Sequence, residues 1–188
     1  MMKYIIDPGH GGMAFGHYFT PGKRWQGLYE GEFNRDVAQY LCRMSDRYLN
    51  IAPGPIRIPL TPRIKFINKL AAVEDCTVIS IHANAVDTKG EKWAQANGHR
   101  IFTCKNPSSK SNLLASIIDE NFKNTISSYG QVKRKNFDIV YKTKCPAVLA
   151  ECAFMTNDED NAKLKTSNFR MDCASVIHSS ILQYELQL

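Results

Sequence analysis

Short apolar runs rich in Val and Ile alternate along this chain with segments whose apolar residues recur every three or four positions. The runs are KYIID (3–7), TVISIHA (77–83), GHRIFTC (98–104) and PAVLAE (146–151), with a weaker FDIVY (137–141). Each has strand length and is bounded by turn residues. Helical stripes lie between them. Phe33, Val37, Tyr40, Leu41 and Met44 form the first, and Ile64, Ile67, Leu70 and Ala71 the second. Leu113, Leu114, Ile117, Ile118 and Phe122 form the third; Phe169, Cys173, Val176, Ile177, Ile181 and Tyr184 form the last. Strands that take turns with helices need crossover connections. The pattern therefore predicts an α/β fold: a twisted, mainly parallel β-sheet with helices on both faces. Residues 50–59 and 84–97, rich in Pro, Gly and polar side chains, read as loops. A length of 188 residues suits a single domain over 1–188.

Other classes fall away on simple grounds. No apolar run nears the roughly 18 residues of a membrane helix. The start, MMKYIID, passes straight into a strand, without the basic and apolar regions of a signal peptide. The expectation is a chain made in the cytoplasm with no membrane span. Cys42, Cys76, Cys104, Cys145, Cys152 and Cys173 are scattered, form no CxxC pair and mostly sit in apolar segments, so they read as buried free thiols. A net charge of +6 suits a polyanionic partner, which includes nucleic acid, a membrane surface and the bacterial cell wall. Nucleic acid lacks support, because there is no aromatic–basic RNP pattern. GHGG is not the GxxxxGK[ST] phosphate loop, and HExxH is absent.

In open parallel sheets, ligands gather at the carboxyl ends of the strands. Three polar residues fall at such ends: His10 after KYIID, His82 closing TVISI, and Glu151 closing PAVLA. An unpaired polar side chain there would be costly. In LYEGEFNRDVA, either Glu30 or Glu32 lies near a helix start. Two neutral imidazoles and a carboxylate are a known ligand set for catalytic zinc, which leaves the remaining carboxylate to move protons. Taken singly, each of His10 and His82 reads more readily as a satisfied structural residue than as a ligand; the joint pattern reverses that. His17, His99 and His178 read as ordinary, His178 lying off the apolar stripe of its helix. The KRK run at 133–135 is a solvated charge run or faces an anionic wall, and Trp93 lines a groove or caps the fold.

IIDPGHGG, YEGEFNRDVA, ISIHANA and PAVLAECAFMTNDED, in that order, resemble the four sequence blocks of the zinc-dependent N-acetylmuramoyl-L-alanine amidases, which cut bacterial peptidoglycan. LTPRIKFINKL (60–70) resembles that family's helix carrying an Arg and an Asn, here Arg63 and Asn68. The resemblance covers nearly the whole chain. It implies His10, Glu30 and His82 as ligands of one Zn2+ per chain, Glu151 as the catalytic carboxylate, and Asn84, Gly11 and Gly12 beside the substrate. The family's ligating Glu stands four residues before an Asn and eight before a small residue, which Asn34 and Ala38 satisfy for Glu30. The implied substrate is peptidoglycan. The implied reaction is hydrolysis of the amide between N-acetylmuramic acid and L-alanine of the stem peptide, by a monomer acting at the wall after release or export. Two departures stand out: Cys152 where the family often has Gly, and a short, proline-rich segment before Arg63. The span between His82 and Glu151 is filled by predicted loop, strand and helix, leaving no room for the helical plug some relatives insert. The last predicted helix closes the catalytic domain, where many relatives add a wall-binding module.

Overall fold

The computed structural model describes residues 2–14, 17–18 and 22–188. In chain order the elements begin with β1 (Lys3–Pro8), two small hairpins made by β2 (Met13–Ala14) with β3 (His17–Tyr18) and β4 (Arg24–Trp25) with β5 (Leu28–Tyr29), and α1 (Glu30–Cys42). Next come β6 (Tyr48–Asn50), α2 (Leu60–Ala71), β7 (Cys76–Asn84), β8 (His99–Thr103) and α3 (Ser109–Thr125). The chain continues with β9 (Gly130–Arg134), α4 (Asp138–Tyr141), β10 (Ala147–Phe154), α5 (Asp158–Leu164) and α6 (Ser167–Glu185). The main sheet has six strands in the order β6–β1–β7–β10–β8–β9.

β6, β1, β7 and β10 are mutually parallel; β8 runs antiparallel to β10 and carries β9 parallel to itself. The expected sheet is thus mainly parallel with a reversed edge. The reversal has a simple cause. The segment between β7 and β8 contains no helix to carry the chain back across the sheet, so β8 starts at the end where β7 stops.

Period two sorts the strand residues between two cores. Tyr4, Ile6, Ile79, Ile81, Val148, Ala150 and Ile101 pack under α1, α3 and α6. Ile5, Val78, Ala147 and Leu149 pack under α2 and α4 through Ile64, Ile67, Ile139 and Val140. Both faces of the central strands are therefore buried, which is why their sequences read as near-continuous apolar runs. The long helices start on side-chain caps where the sequence provides them: Ser108 accepts from Ser111 N and Thr166 from Phe169 N. No helix among the described residues is long and apolar enough to cross a membrane. All six cysteines are free; Cys76, Cys152 and Cys173 are buried and the others half-buried.

Several short elements differ from the sequence reading, the two-residue strands β2 to β5 among them. FDIVY is helical rather than extended: adjacent Ile139 and Val140 pack into the same core on one face of the sheet, whereas in a strand they would point to opposite faces. β9, which holds part of the KRK run, is an exposed edge strand and so shows no apolar alternation. β6 spans three residues and α5 seven, too short for a periodic signal. Among the histidines read as ordinary, His99 Nε2 lies 2.8 Å from Asp119 Oδ1, and His178 Nδ1 lies 2.6 Å from the Tyr48 hydroxyl. The side chain of His17 lies outside the described residues.

Candidate active site

The carboxyl ends of β1, β7 and β10 meet the first turn of α1, and the predicted polar residues converge there. Glu30, the first residue of α1, is buried between the two histidines. Its Oε2 lies 3.1 Å from His10 Nε2, and its Oε1 lies 2.9 Å from His82 Nδ1. The two imidazoles stand edge to face with ring centroids 5.2 Å apart. Lys23 N donates to Glu30 Oε2 at 3.1 Å. One donor atom from each of His10, Glu30 and His82 lies within 4.8 Å of the others, an arrangement that could hold a metal ion. Glu32 is half-buried, and no ligand-competent group gathers around it among the described residues.

Glu151 sits beside this triad, because β10 and β7 place it directly opposite His82. It is half-buried, and its Oε2 is sheltered without a hydrogen-bond partner. Burial pushes its carboxyl up to about 7, partly offset by the charge of His82. Burial also opposes the ionisation of Glu30, but hydrogen bonds with His10 and His82 outweigh it and hold this carboxyl well below the usual range. For His82 burial favours the neutral ring, yet the hydrogen bond to Glu30 and the charge of Glu151 raise it to about 9. Glu30 and Glu151 thus set two negative charges beside the imidazoles, an environment that favours a cation.

A buried clamp holds the end of β1 in place. Arg63 of α2 donates from Nη1 to Asp7 Oδ1 (2.7 Å) and Pro8 O (2.6 Å), from Nη2 to His10 O (3.0 Å), and from Nε to Ile58 O (2.8 Å). Ser80 Oγ donates to the other oxygen of Asp7 at 2.7 Å. Removing Arg63 alone would strand a buried carboxylate, at a cost of ~3–5 kcal/mol. His10 needs such support, since its backbone is left-handed at φ 64°. Asn34 adds a bond from Nδ2 to Gly9 O at 3.0 Å. Asn68, paired with Arg63 in the sequence motif, instead ties α2 to the segment after α4 through Lys142 O and Lys144 N.

Two glycines make the close approach possible. A Cβ on Gly9 would lie 2.1 Å from His82 Cε1, and one on Gly22 would lie 2.6 Å from both Glu30 Oε2 and His10 Cδ2. Of the residues expected beside the substrate, Gly11 and Gly12 are buried, and Gly12 N donates to Pro55 O at 2.7 Å. Asn84 is half-buried at the end of β7, where its Oδ1 accepts from Ala85 N. Asp7, Ser80 and Gly22 escaped the sequence reading. Asp7 carried a signal, a carboxylate inside a strand that must have a partner, but nothing local shows that the partner is 56 residues away.

Fold and site together define an open α/β sheet with a cation-seeking His–Glu–His triad at its carboxyl edge and a sheltered carboxylate beside it. The family profile described as N-acetylmuramoyl-L-alanine amidase matches residues 5–183, and the chain belongs to that family. The N-acetylmuramoyl-L-alanine amidase LytC of Bacillus subtilis (strain 168) is 30% identical over 187 residues, covering 96% of this chain and 35% of that protein. The chain thus spans about a third of the length of the first curated relatives it matches. In fold it is similar to the amidase AmiC2 of Nostoc punctiforme, with a TM-score of 0.83 at 22% identity over 100% of this chain and 98% of that one. It is likewise similar to an N-acetylmuramoyl-L-alanine amidase of Clostridium difficile 630, with a TM-score of 0.83 at 23% identity over 97% and 96%.

Proposed function

We propose that the chain hydrolyses the amide between N-acetylmuramic acid and the L-alanine of the peptidoglycan stem, with His10, Glu30 and His82 holding one Zn2+ and Glu151 as general base and acid. The observation that carries this reading is the convergence of the triad beside the unpartnered carboxylate of Glu151. The donor set fits the ion: two imidazoles and a carboxylate complete three positions of a catalytic zinc site and leave the fourth open. When bound, the ion supplies Lewis-acid activation and positive charge at the reacting carbonyl.

The chain's own residues do the rest. Glu151 accepts the proton of the attacking water and then delivers it to the departing alanine nitrogen, since an amine leaves far more readily once protonated. One carboxyl beside the reacting atoms can do both within one turnover. Arg63, through Asp7 and the His10 carbonyl, holds the His10 backbone still while this happens. The test is digestion of purified peptidoglycan with and without a chelator, followed by mass spectrometry. Stem peptides with a new free N-terminal alanine, formed only when zinc is present, are the expected result; release of a terminal residue or of acetate instead would make the chain a different hydrolase.

A further inference from the structure

Arg100, Gln131, Lys133 and Lys135 flank the Glu151 side of the site, and the reaction derived so far does not use them. Glu151 pairs with Arg100 between β10 and β8; Arg100 pairs with Gln131, and Phe102 with Lys133, between β8 and β9. Residues directly opposite across neighbouring strands share a face of the sheet. Arg100 and Gln131 therefore continue outward from Glu151 in one row, and Lys133 lies on the same face in the neighbouring row of Leu149 and Phe102; Gln131 and Lys133 are exposed. The Lys135 ammonium lies 4.4 Å from the ring centroid of Phe137, which stands edge-on to Phe102 at 5.1 Å. Arg100, Lys133 and Lys135 enter none of the ion pairs among the described residues. Asn97, Arg100, Tyr129 and Gln131 line an open hollow at the same edge.

The path of the substrate follows from the proton transfer, so the inference rests on the amidase reading above. The departing nitrogen must come within hydrogen-bond reach of Glu151, while its carbonyl lies over the triad. The triad stands on β1, β7 and α1, to one side of β10. The stem peptide continues from that nitrogen and must leave on the other side, over β8 and β9. These strands lie about 4.8 and 9.6 Å from β10, the reach of two to three extended residues at about 3.4 Å each. We propose that the face of β8 and β9 bearing Arg100, Lys133 and Lys135 is the binding site for an acidic stem peptide, whose carboxylates pair with these cations.

The experiment compares kcat/KM on muramoyl-L-alanyl-D-glutamate with that on its neutral α,γ-diamide, for the zinc-loaded parent, the double variant Lys133→Glu/Lys135→Glu, and Lys110→Glu on α3 as a charge control. Both exposed lysines can change without disturbing the core, whereas Arg100 donates to backbone carbonyls at the start of β8 and is left intact. The acid-over-amide preference should fall ~tenfold in the double variant, the scale of two exposed ion pairs. It should hold in Lys110→Glu, and in the parent it should shrink as salt is raised. An unchanged preference in the double variant overturns the subsite but leaves the amidase reading standing. If the parent cleaves neither muramoyl substrate, nor muramoyl-L-alanine methylamide, the amidase reading fails and the subsite with it.

Discussion

Glu30 and Glu32 stand two positions apart in the first turn of α1, yet they have separate fates, because residues so spaced on a helix point in well-separated directions. Only Glu30 meets His10 and His82. Glu30→Ala should therefore lose metal retention and activity, whereas Glu32→Ala should keep both and cost no more than a helix-dipole interaction of ~0.3–1 kcal/mol. Metal measured per purified chain decides between them, and a metal-free Glu32→Ala beside a metal-loaded Glu30→Ala reverses the assignment. Glu151 tests differently, since it adjoins the triad without being part of it. Glu151→Gln should retain the parent's metal stoichiometry while turnover falls by ~10²–10⁴; metal lost together with activity would make it a ligand.

At the scale of elements, the C-terminal turn of α6 is tied back to the sheet by Glu185, which pairs with Arg47 and accepts from the Tyr4 hydroxyl at 3.1 Å. The guanidinium of Arg47 is the main reason the Glu185 carboxyl lies below its ordinary value, against a smaller opposing effect of burial. A carboxyl depressed in the folded chain stabilises it above the unfolded value near 4.3 and loses that contribution as pH falls through the folded one. Glu185→Gln should thus melt lower than the parent at pH 7, by the ~2–4 °C that about 1 kcal/mol produces in a chain of this size. The two melting curves should converge below the carboxylate range. A gap that persists at acidic pH would assign the loss to packing rather than charge.

For the whole molecule, the triad joins β1, β7 and α1, so a cation bound there links elements distant in sequence and favours only the folded state. At a hundredfold excess over Kd such binding adds ~2.7 kcal/mol, which in a chain of this length is ~5–10 °C of melting temperature. Chelation should lower the melting point by that amount and stop turnover together. A chelated protein that melts unchanged and still digests peptidoglycan would falsify the metal reading.

Long elements were legible in sequence because their burial is regular: the stripes of α1, α2, α3 and α6 and the runs of β1, β7, β8 and β10 record which face meets the core. The candidates His10, His82 and Glu151 were legible for the same reason, as polar residues at the ends of buried strands. Short or exposed elements left no such record. α4 misled because two adjacent β-branched residues suit a strand until a single core claims both, and β9 hid in a charge run because an exposed edge imposes no alternation. The sequence by itself determined the strand and helix order and the polar residues at the strand ends. Only the tertiary structure decided that Arg63 holds Asp7, that Gly22 makes room for the triad, and that Arg100 and Gln131 extend outward from Glu151 with Lys133 on the same face. Those relations depend on register and close approach between segments far apart in the chain, which no local pattern encodes.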